Sequence, residues 1–150
     1  MPEVKQSWFN RDKTNYETPD NIFNPLNEKY HFTLDVAADN ENHKCDNYYS
    51  QEDDGLNKDW GINICWMNPP FGRGLKKWVA KAHSESLKGA TVVCLIPVRT
   101  NTNWWHDYCL QADVEFIKGE VTFKGYDRGL WMPFAIVVFS PKELEEAQKQ

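Results

Sequence analysis

No run of apolar residues in this 150-residue chain approaches the roughly 20 needed to cross a bilayer. The first residues show no basic segment followed by an apolar one, so neither a membrane span nor a secretory leader is expected and the chain reads as cytoplasmic. There is also no C-x-x-C pair. Cys45, Cys65, Cys94 and Cys109 are widely spaced, which speaks against a zinc ribbon or a disulfide framework. Cys65 and Cys94 fall inside apolar runs, and all four read as reduced core residues, because a buried free Cys behaves as a small hydrophobe. No internal repeat, low-complexity linker or interior change of composition marks a second domain. A chain of this length buries a real core but does not accommodate a catalytic domain plus a sizeable recognition domain.

Positive charge is scarce overall, with 17 Lys and Arg against 22 Asp and Glu and a net charge of -5. The deficit is not uniform. Residues 1–62 hold 6 basic and 13 acidic side chains, residues 63–140 hold 9 and 6, and the last ten hold 2 and 3. A basic C-terminal region suits phosphates and an acidic N-terminal region suits a cation, although solvated faces of opposite sign account for the counts equally well. Aromatic residues, by contrast, are abundant. They make up 14% of the chain, with seven Trp and eight Phe, and hydrophobic residues make up 41%, a composition that argues for an ordered core.

Residues 1–15 are polar and read as an arm. The segment from Thr18 to Phe23 reads as a helix start, with Thr18 as cap and Pro19 in the first helical position, running to about Asn27. His31–Asp35 alternates and predicts a short strand that ends on an acid and is followed by Ala37 and Ala38. Residues 40–60 are irregular, with a turn at Asp54-Gly55. Ile62–Met67 predicts a second strand, stopped by Asn68-Pro69-Pro70-Phe71-Gly72, and the spacing of Leu75, Trp78, Val79, Ala82 and Leu87 predicts a helix. Ala90–Ile96 is a continuous apolar run suited to a strand buried on both faces. A short helix over Asn103–Leu110, strands over Val114–Ile117, Glu120–Phe123 and Phe134–Phe139, and a frayed helix after Pro141 complete the pattern. Helices and strands alternate early and strands cluster late, which predicts an α/β fold whose mostly parallel sheet has an antiparallel end.

Asn68-Pro69-Pro70-Phe71 falls between a predicted strand and a predicted helix, the crevice position where open α/β sheets bind ligands. These residue types suit one chemistry. The exocyclic amino nitrogen of adenine is a poor nucleophile, because its lone pair is delocalised into the ring. An Asn side-chain oxygen and the carbonyl of the following Pro can accept the two amino hydrogens and aim the lone pair at a methyl group. Two prolines stiffen the loop, and an aromatic ring at its end can stack on a base turned out of a duplex. Asn68, Pro69, Pro70 and Phe71 are therefore the candidate catalytic set. The same residues also favour a plain turn, and the flanking strand and aromatic tip the balance toward chemistry.

Further words occur in a fixed order: Glu17-Thr18-Pro19, Leu34-Asp35-Val36-Ala37-Ala38-Asp39, Asp54-Gly55-Leu56 with Trp60, Asn68-Pro69-Pro70-Phe71, Leu95-Ile96-Pro97-Val98-Arg99-Thr100 with Trp104-Trp105, and Phe116-Ile117-Lys118-Gly119. In these words the chain resembles the small phage and prophage DNA N-6-adenine methyltransferase family (Dam-type), over roughly residues 16–139. The resemblance implies a Rossmann-like S-adenosylmethionine-dependent methyltransferase fold in a minimal single domain, residues 16–140, between the arm and a tail at 141–150. It implies methyl transfer to the N6 amino group of adenine in DNA, in the cytoplasm of a host cell, with protection from restriction as the suggested role.

By the same resemblance Thr18 and Pro19 contact the cofactor, Asp35 lies near its methionine part, and Asp54 accepts from its adenine amino group. Ala37, Leu56 and Asn68 complete that set. Thr18 suits a helix cap equally well, and Asp54 suits the Asp-Gly turn. Arg73, Lys76, Lys77, Arg99, Lys124 and Arg128 are the candidates for the DNA backbone, and no metal is expected. Many adenine methyltransferases carry Asp-Pro-Pro-aromatic here, so an Asp at position 68 is expected to preserve the acceptor. The chain departs from most methyltransferases of this fold in having Val36-Ala37-Ala38 in place of a Gly-rich loop after the first strand, and from the family pattern in having Glu120 where a basic residue is frequent. Two alternatives stand beside this reading. One is a methyltransferase for another planar nitrogen, such as an RNA base amino group or a protein glutamine. The other is a non-catalytic nucleic-acid-binding decoy.

Overall fold

The computed structural model describes residues 16–141, so the polar arm expected over residues 1–15 and the tail beyond Pro141 lie outside the described residues. Helix α1 spans Asp20–Tyr30. Its cap is Pro19, whose carbonyl accepts from the N–H groups of Ile22 and Phe23 at 3.1 Å each. The expectation that Thr18 caps this helix is thereby corrected, since no side chain caps it. The helix also runs past Asn27 with Pro25 inside it. It ends where His31 turns left-handed (φ 55°) and donates its N–H to the Asn27 carbonyl at 2.8 Å.

The strands are β1 (Leu34–Asp35), β2 (Ile64–Met67), β3 (Thr91–Pro97), β4 (Asp113–Phe116) and β5 (Phe134–Phe139). Between them lie α2 (Leu75–Leu87), the short α3 (Asn103–Asp107) and two single turns of 3₁₀ helix at Gly55–Asn57 and Cys109–Gln111. One mixed sheet has the order β1-β2-β3-β5-β4. Its first three strands are parallel, and β5 is inserted antiparallel between β3 and β4. The expected antiparallel end is thus present.

Alternation along each strand sorts the core into two layers. Cys65, Met67, Val92, Cys94, Ile96, Ala135, Val137 and Phe139 face one way, against Leu75, Val79 and Ala82 of α2 and Trp105 of α3. Trp66, Val93, Leu95, Phe134, Ile136 and Val138 face the other way, against Phe23 of α1 and Val121 and Phe123 of the loop before β5. Both faces of β3 are therefore covered, as its unbroken apolar run requires. The strand expected over Glu120–Phe123 does not form. Val121 and Phe123 are buried alternately with exposed neighbours, but they pack onto the sheet face rather than its edge. The backbone of this segment is satisfied elsewhere, by Leu130 N–H on the Val121 carbonyl (2.9 Å) and by Lys124 N–H on the Glu17 carbonyl (3.0 Å).

Three of the four cysteines are buried and none is bridged. Burial pushes the Cys65 and Cys109 thiols up to about 12, and Cys45 likewise, so these sulfurs stay protonated packing groups.

One charged side chain is buried at the far end of α2. The Glu85 carboxylate accepts from Trp60 N–H at 2.7 Å and meets Lys81 at 3.1 Å and Lys88 at 2.7 Å. Burial alone would raise its pKa, but the Lys88 ammonium, the Trp60 N–H and Lys81 outweigh it and hold the carboxyl below its ordinary value. Because the folded pKa is depressed, this carboxylate stabilises the fold above its unfolded pKa of about 4.3. That contribution should fade as pH falls through the lower folded value. Urea unfolding of the wild type should therefore weaken below about pH 4, with a smaller dependence in Glu85→Gln. Glu85→Ala, which strands both lysines and the Trp60 N–H, should cost about 3–5 kcal/mol at pH 7.

Candidate active site

Because β1, β2, β3 and β4 run the same way, the loops that leave them gather at one end of the sheet. The Asn68-Pro69-Pro70-Phe71 loop leaves β2 there, and the segment after β1 lies beside it. Asn68 is buried, with 2% of its surface exposed. Its Nδ2 donates to the Tyr16 carbonyl at 2.8 Å and to Thr18 Oγ1 at 3.1 Å. A main-chain carbonyl only accepts, so the NH₂ end of the amide must face it, and the orientation of Asn68 is fixed by chemistry. The opposite end, Oδ1, is enclosed and accepts no hydrogen bond among the described residues.

Thr18 is itself 1% exposed, and its hydroxyl serves Asn68 rather than a helix end. Pro19 follows it and caps α1 with its carbonyl. Phe71 is half-buried and not a bare platform, since its ring lies 5.1 Å from Tyr16, 5.4 Å from Phe134 and 5.9 Å from Phe123 between centroids.

The carboxylate of Asp35, 1% exposed, accepts from Ala37 N–H at 3.3 Å and from Lys44 N–H at 2.9 Å. It therefore shapes the loop after β1 and holds its far side close. Asp54 is exposed and left-handed (φ 58°), and its carboxylate accepts from Asn57 Nδ2. That contact closes the Asp54–Asn57 turn, in accord with the turn reading. Gly55 presses this turn against the segment after β1, where an added Cβ would meet the Val36 carbonyl oxygen at 2.3 Å. Trp60 Nε1 donates to the Gly55 carbonyl at 3.0 Å, and Leu56 is half-buried. Sequence reasoning passed over Asp39. Its Oδ1 accepts from the N–H groups of Glu41 (2.8 Å) and Asn42 (2.7 Å), while its Oδ2 is enclosed without a partner. Asp39 lies in the same sequence word as Asp35, and no spacing rule separates the two.

The candidate cations divide. Arg73, Lys76 and Lys77 are exposed around the start of α2, immediately after the Asn68 loop. Arg128 is exposed in the loop before β5, and Arg99 is exposed with one Nη 4.0 Å from the sulfur of Met132. Lys124 pairs with Asp20 at 2.8 Å and with Glu17 at 3.4 Å, so its charge is already engaged. Among the described residues no group of His, Cys, Asp and Glu is placed to hold a metal ion, and no helix is long and apolar enough to cross a membrane.

Residues 6–136 match the sequence profile of the DNA N-6-adenine-methyltransferase (Dam) family. The chain belongs to this family. It is 32% identical over 150 residues to the DNA N-6-adenine-methyltransferase of Haemophilus phage HP1 (strain HP1c1), covering 93% of this chain and 86% of that one. It is 28% identical over 162 residues to the DNA N-6-adenine-methyltransferase of Escherichia phage T1, covering 90% of this chain and 65% of that one. A shorter match, 38% over 78 residues, covers 47% of this chain and 77% of the putative methyltransferase YfdM of Escherichia coli (strain K12). Membership of a DNA methyltransferase family brings with it a DNA substrate and a methyl donor.

The close approach of Gly55 to the segment after β1 has a sharp test. Gly55→Ala forces its new methyl group into the Val36 carbonyl, so the turn must separate from the β1 segment. Thermal unfolding should show a loss of about 1–3 kcal/mol, in the range of overpacking a tight contact, and isothermal titration of the surviving fold should show weakened methyl-donor binding. Wild-type stability in Gly55→Ala would mean that the two segments need not touch.

Proposed function

We propose that the chain transfers a methyl group from S-adenosylmethionine to the N6 amino group of adenine in DNA, with Asn68 as the acceptor that orients the target nitrogen. The observation that carries this reading is the state of the Asn68 amide. Its donor end is anchored twice, and its enclosed acceptor end has no partner. Leaving a buried acceptor unpaired costs about 1–3 kcal/mol, so such an atom suits a ligand donor better than a structural role. An adenine N6 amino group supplies that donor. Asn68 Oδ1 accepts one amino hydrogen and the Pro69 carbonyl the other, drawing the lone pair out of the ring plane toward the methyl group. As nitrogen gains positive charge these contacts strengthen, and the surplus proton then passes to solvent.

S-adenosylmethionine, when bound, supplies an electrophilic methyl group on a sulfonium centre. The residues proposed to hold it are Thr18, Pro19, Asp35, Ala37, Asp54, Leu56 and Asn68, around the ends of β1 and β2. Asp39 joins them, since its enclosed Oδ2 suits a hydroxyl or ammonium donor. Asp35 acts by fixing the loop that carries Ala37 and Asp39. The strand order, with one reversed strand between two that run together, supports a Rossmann-like methyltransferase sheet over residues 16–140. No metal enters the mechanism. On this reading the protein works in the cytoplasm, that of the host for a phage-encoded chain.

Asn68→Ala removes the acceptor while other residues keep the donor. Single-turnover methyl transfer to DNA should slow by roughly a hundredfold to a thousandfold, equivalent to about 2.7–4 kcal/mol, with little change in methyl-donor affinity. A rate within threefold of wild type would remove Asn68 from the mechanism. Asn68→Asp keeps an acceptor at this position but loses the donor end of the amide. A carboxylate would set an oxygen against the Tyr16 carbonyl, where Nδ2 now donates at 2.8 Å. Asn68→Asp should therefore be slow as well and less stable than wild type.

For DNA, the start of α2 is the proposed phosphate contact. The first turn of α2 contains no acid and does contain Lys76 and Lys77, which add positive charge where the helix dipole is already positive. Phosphates relieve that repulsion. In Lys76→Ala/Lys77→Ala the slope of log affinity against log salt for duplex DNA should become shallower by about 1.8, as expected for two lost phosphate contacts. Thermal stability should hold or rise slightly. An unchanged slope would move the DNA face elsewhere.

A further inference from the structure

The enclosure of Asn68 Oδ1 poses a steric problem, because no base reaches that atom unless something moves. At the other end of the same amide lies Tyr16, whose carbonyl accepts from Nδ2. The Tyr16 ring sits among other rings in a particular arrangement. On one side it meets Phe71 of the Asn68 loop at 5.1 Å, tilted by 50°. On another it lies nearly parallel to Tyr126, 12° between planes and 5.7 Å between centroids, and its edge contacts Phe123 at 5.5 Å. Beside this group opens a cleft of ≈ 420 Å³ lined by Tyr16 and residues 126–131, among them Tyr126, Asp127, Arg128 and Trp131. Trp131 is 69% exposed.

A planar ring with a polar edge, packed against Phe71 of the Asn68 loop and stacked on Tyr126, occupies space of the kind a nucleobase needs. We infer that the Tyr16 side chain stands in for the extruded base and must leave its place against Phe71 and Tyr126 before a base can stack there. The cleft beside Tyr126 is its way out and the way in for the nucleotide, with Arg128 at its wall for the backbone. This assigns Tyr126 to the base site and gives Tyr16 two separate duties. Its carbonyl anchors Asn68 and its ring competes with substrate. The inference rests on the reading of Asn68 as the acceptor for the target base, so its test does not use methyl transfer.

Fluorescence anisotropy with a fluorescein-labelled oligodeoxyadenylate, and with an abasic oligonucleotide of the same length, separates ring competition from backbone binding. Tyr16→Ala should bind the oligodeoxyadenylate roughly threefold to tenfold tighter than wild type, the range of one aromatic contact removed from competition. Affinity for the abasic probe should not change. Tyr16→Leu keeps apolar contact with Phe123 but offers no ring to Tyr126, so it should act in the same direction and decides the matter if the Ala variant does not fold. Tyr16→Phe, which keeps the ring, should match wild type, and Tyr126→Ala should bind the oligodeoxyadenylate several-fold more weakly. The inference is overturned if folded Tyr16 variants bind the adenylate probe more weakly or equally, if both probes respond alike, or if no protein in the series distinguishes the two. A failure of Asn68→Ala to slow methyl transfer would leave these binding results readable, and the converse holds as well.

Discussion

A primary amide has two donors at one end and an acceptor at the other, and it can be aimed only if one end is held. In this chain the donor end of Asn68 is held by Tyr16 and Thr18, residues roughly fifty positions away in sequence. Much of the site follows from that constraint. The segment before α1 must reach across the end of the sheet, Thr18 must be buried there, and its hydroxyl is spent on Asn68 instead of on a helix cap. Lys124 secures the same segment from the other side, through its N–H on the Glu17 carbonyl and its ammonium on Glu17 and Asp20. A cation that could have met phosphate is thus used to keep the amide anchor in place.

The sheet supports this arrangement by direction rather than by any unusual packing. With β5 reversed between β3 and β4, the four remaining strands deliver their following loops to the same end. The aromatic residues of the loop before β5 and those of the Asn68 loop then meet over one face of the sheet, where Phe71, Phe123 and Phe134 form a shared cluster. The opposite face carries α2, whose exposed lysines begin where the Asn68 loop ends. Acceptor, aromatic surface and cations are therefore neighbours because of strand order.

Much of this was legible in the sequence. Unbroken apolar runs and turn residues marked β2, β3 and β5 to within two residues, and the helical spacing from Leu75 to Leu87 marked α2 in full. The Asn68 loop was legible because the residue types its chemistry needs are contiguous. What escaped was pairing across distance. Val121 and Phe123 alternate as a strand does, yet that pattern reports only which side chains are buried and not whether an edge is free to accept a partner. Thr18 carries the signature of a helix cap, and nothing local indicates that a buried amide competes for its hydroxyl. Tyr16 has no motif at all, since its part depends on where its ring and carbonyl lie in space. Asp35 and Asp39 are indistinguishable by type, and only the hydrogen bonds separate the filled carboxylate from the one with an oxygen to spare.

The lone acceptor on Asn68 also bears on how this protein can change over time. A buried oxygen without a donor makes the free chain less stable than its packing would permit, by about 1–3 kcal/mol. With Asn68 in its proposed role, replacement by an apolar residue of similar volume relieves that deficit while ending the chemistry, so selection for robustness alone drifts toward loss of the residue. The asparagine persists only where modified DNA is worth more to its carrier than a sturdier fold. A lineage freed of that need should lose position 68 early and keep its sheet.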